Sequence, residues 1–321
     1  MKPRPLWENA ACRLSDLGQG MVLAEFLSPE IQETHFEALS RALRQASRGL
    51  LLTCTGPDFA LGASLNTLAG NIEREEWAEL DRRGCRYQQI NLSLRRSPVP
   101  VVAALRGYVL GAGCEIALHC HSLVAAADTR LGLVETRAGL LPAAGGTQEM
   151  TRRADTPAQL VRFFSLLARG RLAADAREGL ALGYLDSSRD RLCDDPSLLL
   201  PQALERLHQL GRHHQPCQAT EVQVLCSFSE LCAELEKWDL SAYDRQLART
   251  VAGVMCAGQE PGSRVSLERL LDLEREALLR LAGQARTRAR IRHLRQAGLV
   301  AERRDQSAPR ESKKHSRQPF S

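Results

Sequence analysis

Two glutamates, Glu115 and Glu135, stand in a stretch whose other residues could supply backbone hydrogen-bond donors. Glu115 falls in the first turn of a predicted short helix that follows the small-residue turn Gly111-Ala112-Gly113. Because these residues carry little or no side chain, a ligand could approach the free N–H groups of the helix closely. Glu135 follows on a predicted loop twenty positions later. A fold that joins the two segments would set two carboxylates beside backbone donors, which is an arrangement suited to proton transfer.

The elements that must position these residues alternate between strand and helix, which is typical of an α/β fold. Apolar runs predict strands at residues 50–54, 99–105 and 123–127, and a hairpin over residues 12–26. Helical spacing predicts helices at residues 31–47, 71–94, 160–170, 174–186, 197–211 and 221–237, and one that begins at Ser266. Pro98 ends the helix predicted at residues 71–94.

The charge balance argues against a nucleic-acid binder. The chain has 321 residues, with 43 Lys and Arg against 38 Asp and Glu, for a net charge of +5. Residues 301–321 hold six basic and three acidic residues, so much of the excess lies there. Aromatic residues make up only 4% of the chain, whereas nucleic-acid binders interleave aromatic residues with a basic stripe. The body of the chain is therefore expected to bind neither DNA nor RNA.

Cysteine usage and hydropathy predict a cytoplasmic protein. The 10 cysteines form no C-x-x-C pair, and reduced thiols are the simplest account of them. The N-terminal residues lack the apolar segment of a signal peptide, and no apolar run is long enough to span a bilayer.

One short stretch is rich in potential metal ligands: Cys114, His119, Cys120 and His121. Their spacing does not bring all four to one face of a helix, and no second ligand pair follows. We therefore expect packing roles for these residues and no metal site.

Three blocks of sequence resemble the signature blocks of the crotonase, or enoyl-CoA hydratase/isomerase, superfamily. They are GPDFALGASL at residues 56–65, LGAGCEIALHC at 110–120 and LGLVETRAGLLPAAGGTQ at 131–148. The segments Trp7-Glu8-Asn9 and LLDLEREALLRLAG, at residues 270–283, further resemble the crotonase region of certain bacterial fused 3-hydroxyacyl-CoA dehydrogenases. The resemblance covers about residues 7 to 300.

The resemblance implies an α/β fold with a crotonase-like ββα superhelix core and a C-terminal helical region. We divide the chain into a core domain at residues 1–190, a helical region at 191–300 and a disordered basic tail at 301–321. No NAD site is expected, because the glycine cluster at residues 111–113 lacks the third glycine of a dinucleotide fingerprint. Acyl-CoA is expected as the substrate, without a further cofactor.

The resemblance also implies roles for individual residues. Glu115 and Glu135 would share the proton transfers, and the N–H groups of Leu61 and Ala112 would form an oxyanion hole. The acyl-CoA site would comprise Ala60, Leu61, Gly62, Ala63, Ser64, Leu65, Gly111 and Ala112.

The leading functional hypothesis is reversible hydration of trans-2-enoyl-CoA in fatty acid β-oxidation. Two alternatives stay open: an isomerase or other crotonase-type reaction, and a non-catalytic acyl-CoA-binding partner of a separate 3-hydroxyacyl-CoA dehydrogenase. The resemblance also implies a homo-trimer or hexamer.

Overall fold

A computed structural model describes residues 3–211 and 213–297, and the strands of this part of the chain form one large sheet and three small ones. The strands are β1 (Arg4–Glu8), β2 (Cys12–Gly18), β3 (Met21–Phe26), β4 (Glu30–Ile31), β5 (Gly49–Cys54), β6 (Gly62–Ala63), β7 (Val101–Leu105), β8 (Tyr108–Leu110), β9 (Ser122–Ala126), β10 (Arg130–Gly132), β11 (Arg191–Cys193), β12 (Glu221–Gln223) and β13 (Arg264–Ser266). The predicted hairpin and the predicted strands at residues 50–54, 99–105 and 123–127 are confirmed.

The helices surround the sheet and continue beyond it. They are α1 (Glu33–Gln45), α2 (Leu65–Glu73), α3 (Trp77–Arg95), α4 (Ala112–Leu118), α5 (Gly146–Arg152), α6 (Pro157–Ala168), α7 (Ala176–Leu182), α8 (Leu199–Gly211), α9 (Phe228–Glu234), α10 (Ala242–Met255), α11 (Leu267–Ala282) and α12 (Ala285–Ala297). Short 3-10 helices lie at Glu135–Ala138, Pro196–Leu198 and Leu235–Lys237.

The large sheet has the strand order β1-β2-β3-β5-β7-β9-β11. Strands β3, β5, β7, β9 and β11 are parallel, and β1 and β2 extend the sheet in antiparallel sense. Their buried apolar residues suit strands covered on both faces: Leu51 pairs with Val102, and Ala103 pairs with Leu123. Helix-containing connections join these parallel strands, as the alternating sequence pattern predicts.

Two small parallel sheets lie next to the predicted site. β8 pairs with β10, and β4 pairs with β6. Ala60 forms an isolated bridge with Val109 of β8, which brings the loop that precedes β6 against the strand that leads into α4. The hydrogen bond from the N–H of Leu110 to the carbonyl oxygen of Ala60 thus joins the first two signature blocks.

Two helix predictions are wrong in extent. The helix predicted at residues 71–94 is two helices, α2 and α3, because Glu75 has a φ of +55° and Asn71 bonds the side chain of Glu76 across the break. The helix predicted at residues 221–237 begins only at Phe228, where Ser227 forms a capping box with Glu230. The residues before it form β12, which pairs with β13.

The C-terminal helices share the main hydrophobic core with the sheet. Leu278 and Leu281 of α11 belong to the same buried cluster as Leu50 of β5 and Leu105 of β7. The domain division at residues 190 and 191 stays a prediction, and the predicted disordered tail at residues 301–321 lies outside the described residues. No helix within residues 3–211 and 213–297 combines the length and apolar character that a membrane crossing requires.

Replacing Gly113 in α4 with Ala should destabilise the fold, because the new Cβ would stand 2.2 Å from the Cβ of Ala60. Overpacking of this kind typically costs about 1–3 kcal/mol in the free energy of unfolding, measured by urea denaturation. Gly253→Ala in α10 is the control, since its Cβ would meet nothing closer than 3.9 Å. We expect that control to gain about 0.5–1 kcal/mol from helix propensity. Equal stability of Gly113→Ala and the wild type would contradict this packing.

Candidate active site

Glu115 is delivered to its position by a sharp turn between β8 and α4. Gly111 at this turn has a φ of +49°, a conformation that side chains rarely adopt. A Cβ at this position would lie 3.2 Å from Oε1 of Glu135 and 3.6 Å from the Cα of Gly62. The three signature blocks therefore meet at Gly111, where they approach so closely that a glycine is required.

The Glu115 carboxylate is buried and accepts two backbone hydrogen bonds. Its side chain is 2% exposed. Its Oε1 accepts from the N–H of Ala144 at 2.8 Å and from the N–H of Gly146 at 2.9 Å. Burial raises the pKa of Glu115 to about 7, against the opposing effect of the two N–H donors. Glu115 can therefore exchange a proton near neutral pH.

Glu135 follows β10 and begins the short 3-10 helix Glu135–Ala138. Both of its carboxyl oxygens are buried, and neither has a hydrogen-bond partner within the part of the chain that the structure describes. Burial, and then the nearby charges of Glu115 and Glu274, raise the pKa of Glu135 well above its ordinary value. Burial therefore favours the protonated form of Glu135, and its carboxyl oxygens are left to bond a ligand or water.

Both glutamates line one cavity of about 170 Å³. Leu61, Gly62, Ala63, Ser64, Leu65, Gly111 and Ala112 of the predicted acyl-CoA site line it as well. Apolar side chains complete much of the wall, from Leu68, Leu80, Leu140, Leu141, Leu278 and Leu294. Ala60 does not line the cavity: its N–H and C=O bond the backbone of Tyr108 and Leu110, so it supports the wall from behind.

The two predicted oxyanion donors differ in the structure. The Ala112 N–H is the first of α4, so no carbonyl within the helix can accept from it. The Leu61 N–H, in contrast, donates to the carbonyl oxygen of Pro29 at 2.7 Å. This corrects the prediction of an open donor at Leu61, because a backbone segment distant in sequence already uses that group.

A third buried carboxylate, Glu274 of α11, was missed by the sequence analysis. It is 0% exposed and accepts from the N–H of Gly145 at 2.8 Å and from the N–H of Gln148 at 2.6 Å. Burial, and then the charge of Glu115, raise its pKa well above the ordinary value. The signal was present in the sequence, since Glu274 falls on the same helical face as Leu267, Leu270, Leu271, Leu278 and Leu281.

The candidate metal ligands do not converge. His119 is buried, with Nδ1 2.7 Å from the carbonyl oxygen of Glu115, and His121 lies between the backbones of Val101 and Arg95. Within residues 3–211 and 213–297, no three His, Cys, Asp or Glu side chains form a group that could hold a metal ion. These histidines therefore have packing and backbone-bonding roles in the fold.

Comparison with known sequences finds a family that part of the chain matches. The sequence profile of the enoyl-CoA hydratase/isomerase family matches residues 25–181, which include both cavity glutamates. Residues 25–181, close to half of the chain, are therefore similar to the enoyl-CoA hydratase/isomerase family. The resemblance inferred from the three blocks is thereby confirmed.

Solved structures confirm the crotonase fold. The chain is similar to an enoyl-CoA hydratase from Rhodobacter sphaeroides 2.4.1, with a TM-score of 0.65, 17% identity and coverage of 92% of this chain and 90% of that one. A carnitinyl-CoA dehydratase from Mycobacterium thermoresistibile gives a TM-score of 0.64 at 16% identity and covers 89% of each chain.

A curated sequence from Bacillus subtilis (strain 168), named probable 3-hydroxyacyl-CoA dehydrogenase, is 29% identical over 304 residues. The match covers 89% of this chain but only 38% of the relative. The chain therefore spans well under half the length of that relative.

The pKa of Glu115 gives a prediction for stability. A folded-state pKa of about 7, against the ordinary 4.5, means that the folded protein binds the proton more tightly than the unfolded chain does. The contribution of Glu115 to wild-type stability should therefore fall as the pH rises from about 5 to about 7.5. Glu115→Gln removes this titration, while its amide oxygen can still accept both N–H bonds. As the pH rises over that range, the free energy of unfolding of the variant should therefore increase relative to that of the wild type by at least about 1 kcal/mol.

Urea unfolding at both pH values measures the difference. The control is Glu276→Gln, which changes a glutamate whose side chain is 61% exposed on α11. Equal pH dependence in the wild type and Glu115→Gln would contradict a raised pKa at Glu115.

Proposed function

We propose that this chain adds water reversibly to trans-2-enoyl-CoA thioesters, a step of fatty acid β-oxidation. The observation that carries the proposal is the pair of buried carboxyl groups, Glu115 and Glu135, on the wall of one largely apolar cavity. An apolar cavity suits an acyl chain, and two carboxyl groups of different proton affinity can serve as a base and an acid. The match of residues 25–181 to the enoyl-CoA hydratase/isomerase family supports this choice.

The two glutamates take different roles in the proposed reaction. With a pKa of about 7, Glu115 is partly ionised at neutral pH and accepts a proton from water as its oxygen bonds to the β-carbon. The π electrons of the double bond move onto the thioester oxygen and return as the α-carbon takes a proton from Glu135. Transfer of a proton from Glu115 to Glu135 then returns the pair to its starting state.

Negative charge on the thioester oxygen needs hydrogen-bond donors. Ala112 supplies one N–H at the start of α4, where the helix dipole also favours negative charge. We assign the second donor to the wall segment of residues 62–64, because the Leu61 N–H is already bonded to Pro29. A Cβ at Gly62 would lie 3.5 Å from the carbonyl oxygen of Leu110, so this segment adjoins the turn into α4.

Isomerisation of an enoyl-CoA double bond is the second candidate reaction. It needs one carboxyl group to carry a proton between two carbons, and Glu135 has two buried oxygens without a partner among the described residues. The two reactions differ at Glu115, which isomerisation does not require.

A dehydrogenase partner is a further part of the proposal. Hydration of an enoyl-CoA gives a 3-hydroxyacyl-CoA, and the matched Bacillus subtilis relative carries the name of a 3-hydroxyacyl-CoA dehydrogenase. We propose that a separate enzyme of that class consumes the product, and that this chain assembles as a trimer or hexamer.

The wild-type protein should hydrate crotonyl-CoA or longer trans-2-enoyl-CoAs, measured by the loss of enoyl-thioester absorbance in the steady state. Glu115→Gln and Glu135→Gln should each lower turnover by about a hundredfold or more, because an amide cannot exchange the proton. The double variant should be little worse than the worse single variant, since the two groups act on one water.

Three outcomes would change the assignment. No turnover by folded wild-type protein with any chain length would exclude the hydratase. Isomerase turnover that Glu115→Gln leaves intact would favour the second reaction. Multiplicative losses in the double variant would mean that Glu115 and Glu135 act independently.

Ala112→Pro tests the oxyanion donor. Proline is tolerated at the first residue of a helix, so the change removes the N–H while α4 can still form. Turnover should fall by about 10²–10³-fold, which is the usual effect of losing one such donor. Ala112→Gly keeps the N–H and is the matched control, for which we expect most of the activity. Equal activity of the two variants would exclude Ala112 as a donor.

A further inference from the structure

The loop of residues 143–148, which ends the third signature block and includes the first residues of α5, divides its N–H groups between two carboxylates. Ala144 and Gly146 donate to Glu115. Gly145 and Gln148 donate to Glu274. Alternate N–H groups of one short loop therefore hold two acidic side chains that come from different helices, α4 and α11.

Side chains from α3 hold the carbonyl groups of the same loop. Gln88 donates from Nε2 to the carbonyl oxygen of Ala143 at 3.0 Å, and Asn91 donates to the carbonyl oxygen of Ala144 at 2.7 Å. Gln88 also lies 3.2 Å from Oε2 of Glu274. Glu274 and Gln88 thus form one hydrogen-bonded unit that bonds the loop, and neither residue lines the cavity.

The hydrogen-bond partners of Glu274 offset part of the cost of burying its carboxyl group. Its Oε1 accepts from the N–H of Gln148 and its Oε2 from the N–H of Gly145, while the Gln88 NH₂, which also bonds the carbonyl oxygens of Ala143 and Leu271, lies 3.2 Å from Oε2. These bonds favour the ionised form of Glu274, whereas burial, the larger effect, raises its pKa. Packing alone would not call for a carboxylate at a fully buried position on a leucine-rich face, because leucine fills such a position without a desolvation cost.

We propose that Glu274 is a positioning residue for the reaction: by holding Gly145 and Gln148 it fixes the loop that aims the N–H groups of Ala144 and Gly146 at Glu115. The proposal rests on the proposed function, because its consequence is the placement of Glu115 against substrate. The residue that performs this role lies in the C-terminal helices, beyond the matched residues 25–181.

The charge of Glu274 adds a second effect. It is one of the causes that raise the pKa of Glu135, after burial and the charge of Glu115. Removing it should therefore lower the pKa of Glu135, so that the acid loses its proton at a lower pH. The high-pH decline of kcat/KM should move down with it.

The other charged groups near Glu274 do not account for the same shift in the high-pH decline of kcat/KM. Burial lowers the pKa of His119, which packs against Gly145, to about 3, so it is neutral throughout this range. Arg275 of α11 reaches the unit only through Oε1 of Gln88, and its pKa is raised. Glu149 of α5 is held ionised by arginines, which keep its pKa well below the ordinary value.

The test compares three variants of the full chain by steady-state kinetics across pH. Glu274→Gln removes the charge and turns an NH₂ group toward one of the two N–H donors. We expect kcat to fall by about tenfold or more with KM changed less than about threefold, and the high-pH limb to move down by about 0.5–1 unit. Glu274→Asp keeps the charge but is too short to hold both donors, so kcat should fall with the pH limb unmoved.

Glu276→Gln, which changes an exposed glutamate two residues beyond Glu274 in α11, is the control and should behave as wild type. An unchanged kcat in Glu274→Gln would overturn the proposal. A kcat that falls only as much as the stability of the variant falls, with the high-pH limb unmoved, would overturn it too. If Glu274→Gln does not fold, Glu274→Asp decides the positioning role alone: unchanged kcat would overturn it.

A readout that needs no turnover separates this proposal from the proposed function. Titration of ¹³C-labelled glutamate carboxyl carbons by NMR should give lower pKa values for Glu115 and Glu135 in Glu274→Gln than in wild type. Unchanged titrations would overturn the role of Glu274 even in an active hydratase. Altered titrations in a protein that hydrates no enoyl-CoA would support the coupling of Glu274 to Glu115 and Glu135. They would exclude the proposed function instead.

Discussion

Burial of carboxyl groups against backbone N–H donors is the constraint on which the site depends. Glu115 and Glu274 are removed from water, and an isolated buried carboxylate would cost several kcal/mol. The loop of residues 143–148 offsets that cost by offering four N–H groups that no helix uses. Its conformation, and with it the position of the Glu115 carboxyl group, follows from the need to satisfy two carboxylates at once.

Helix α5 is anchored by a different arrangement of charge, at a glutamate in its first turn. Glu149 in α5 is buried and pairs with Arg95, Arg152 and Arg153. Because three cations surround it, Glu149 stays ionised where Glu115 and Glu135 gain proton affinity. One buried ion cluster therefore fixes α5 while the carboxyl groups in the cavity keep pKa values suited to proton exchange.

Close backbone approach sets the second constraint. The turn at Gly111 has no room for a side chain beside Glu135, and Gly146 has none beside Glu115, where a Cβ would lie 2.7 Å from Oε1. The short parallel pairs β4–β6 and β8–β10 bring these segments together at the side of the large sheet. A sheet that is apolar and buried on both faces gives them a rigid support.

The sequence by itself determined the family resemblance, the positions of the main strands along the chain and the two candidate glutamates, because glycine-rich turns and buried apolar strands leave local patterns that can be read residue by residue. The tertiary structure alone decided which backbone groups are free and which carboxylates meet. The Leu61 N–H is bonded to Pro29, and Glu274 reaches a loop 129 residues earlier in the chain. A hydrogen bond between segments so far apart depends on how the helices pack, and no local spacing of residue types encodes it.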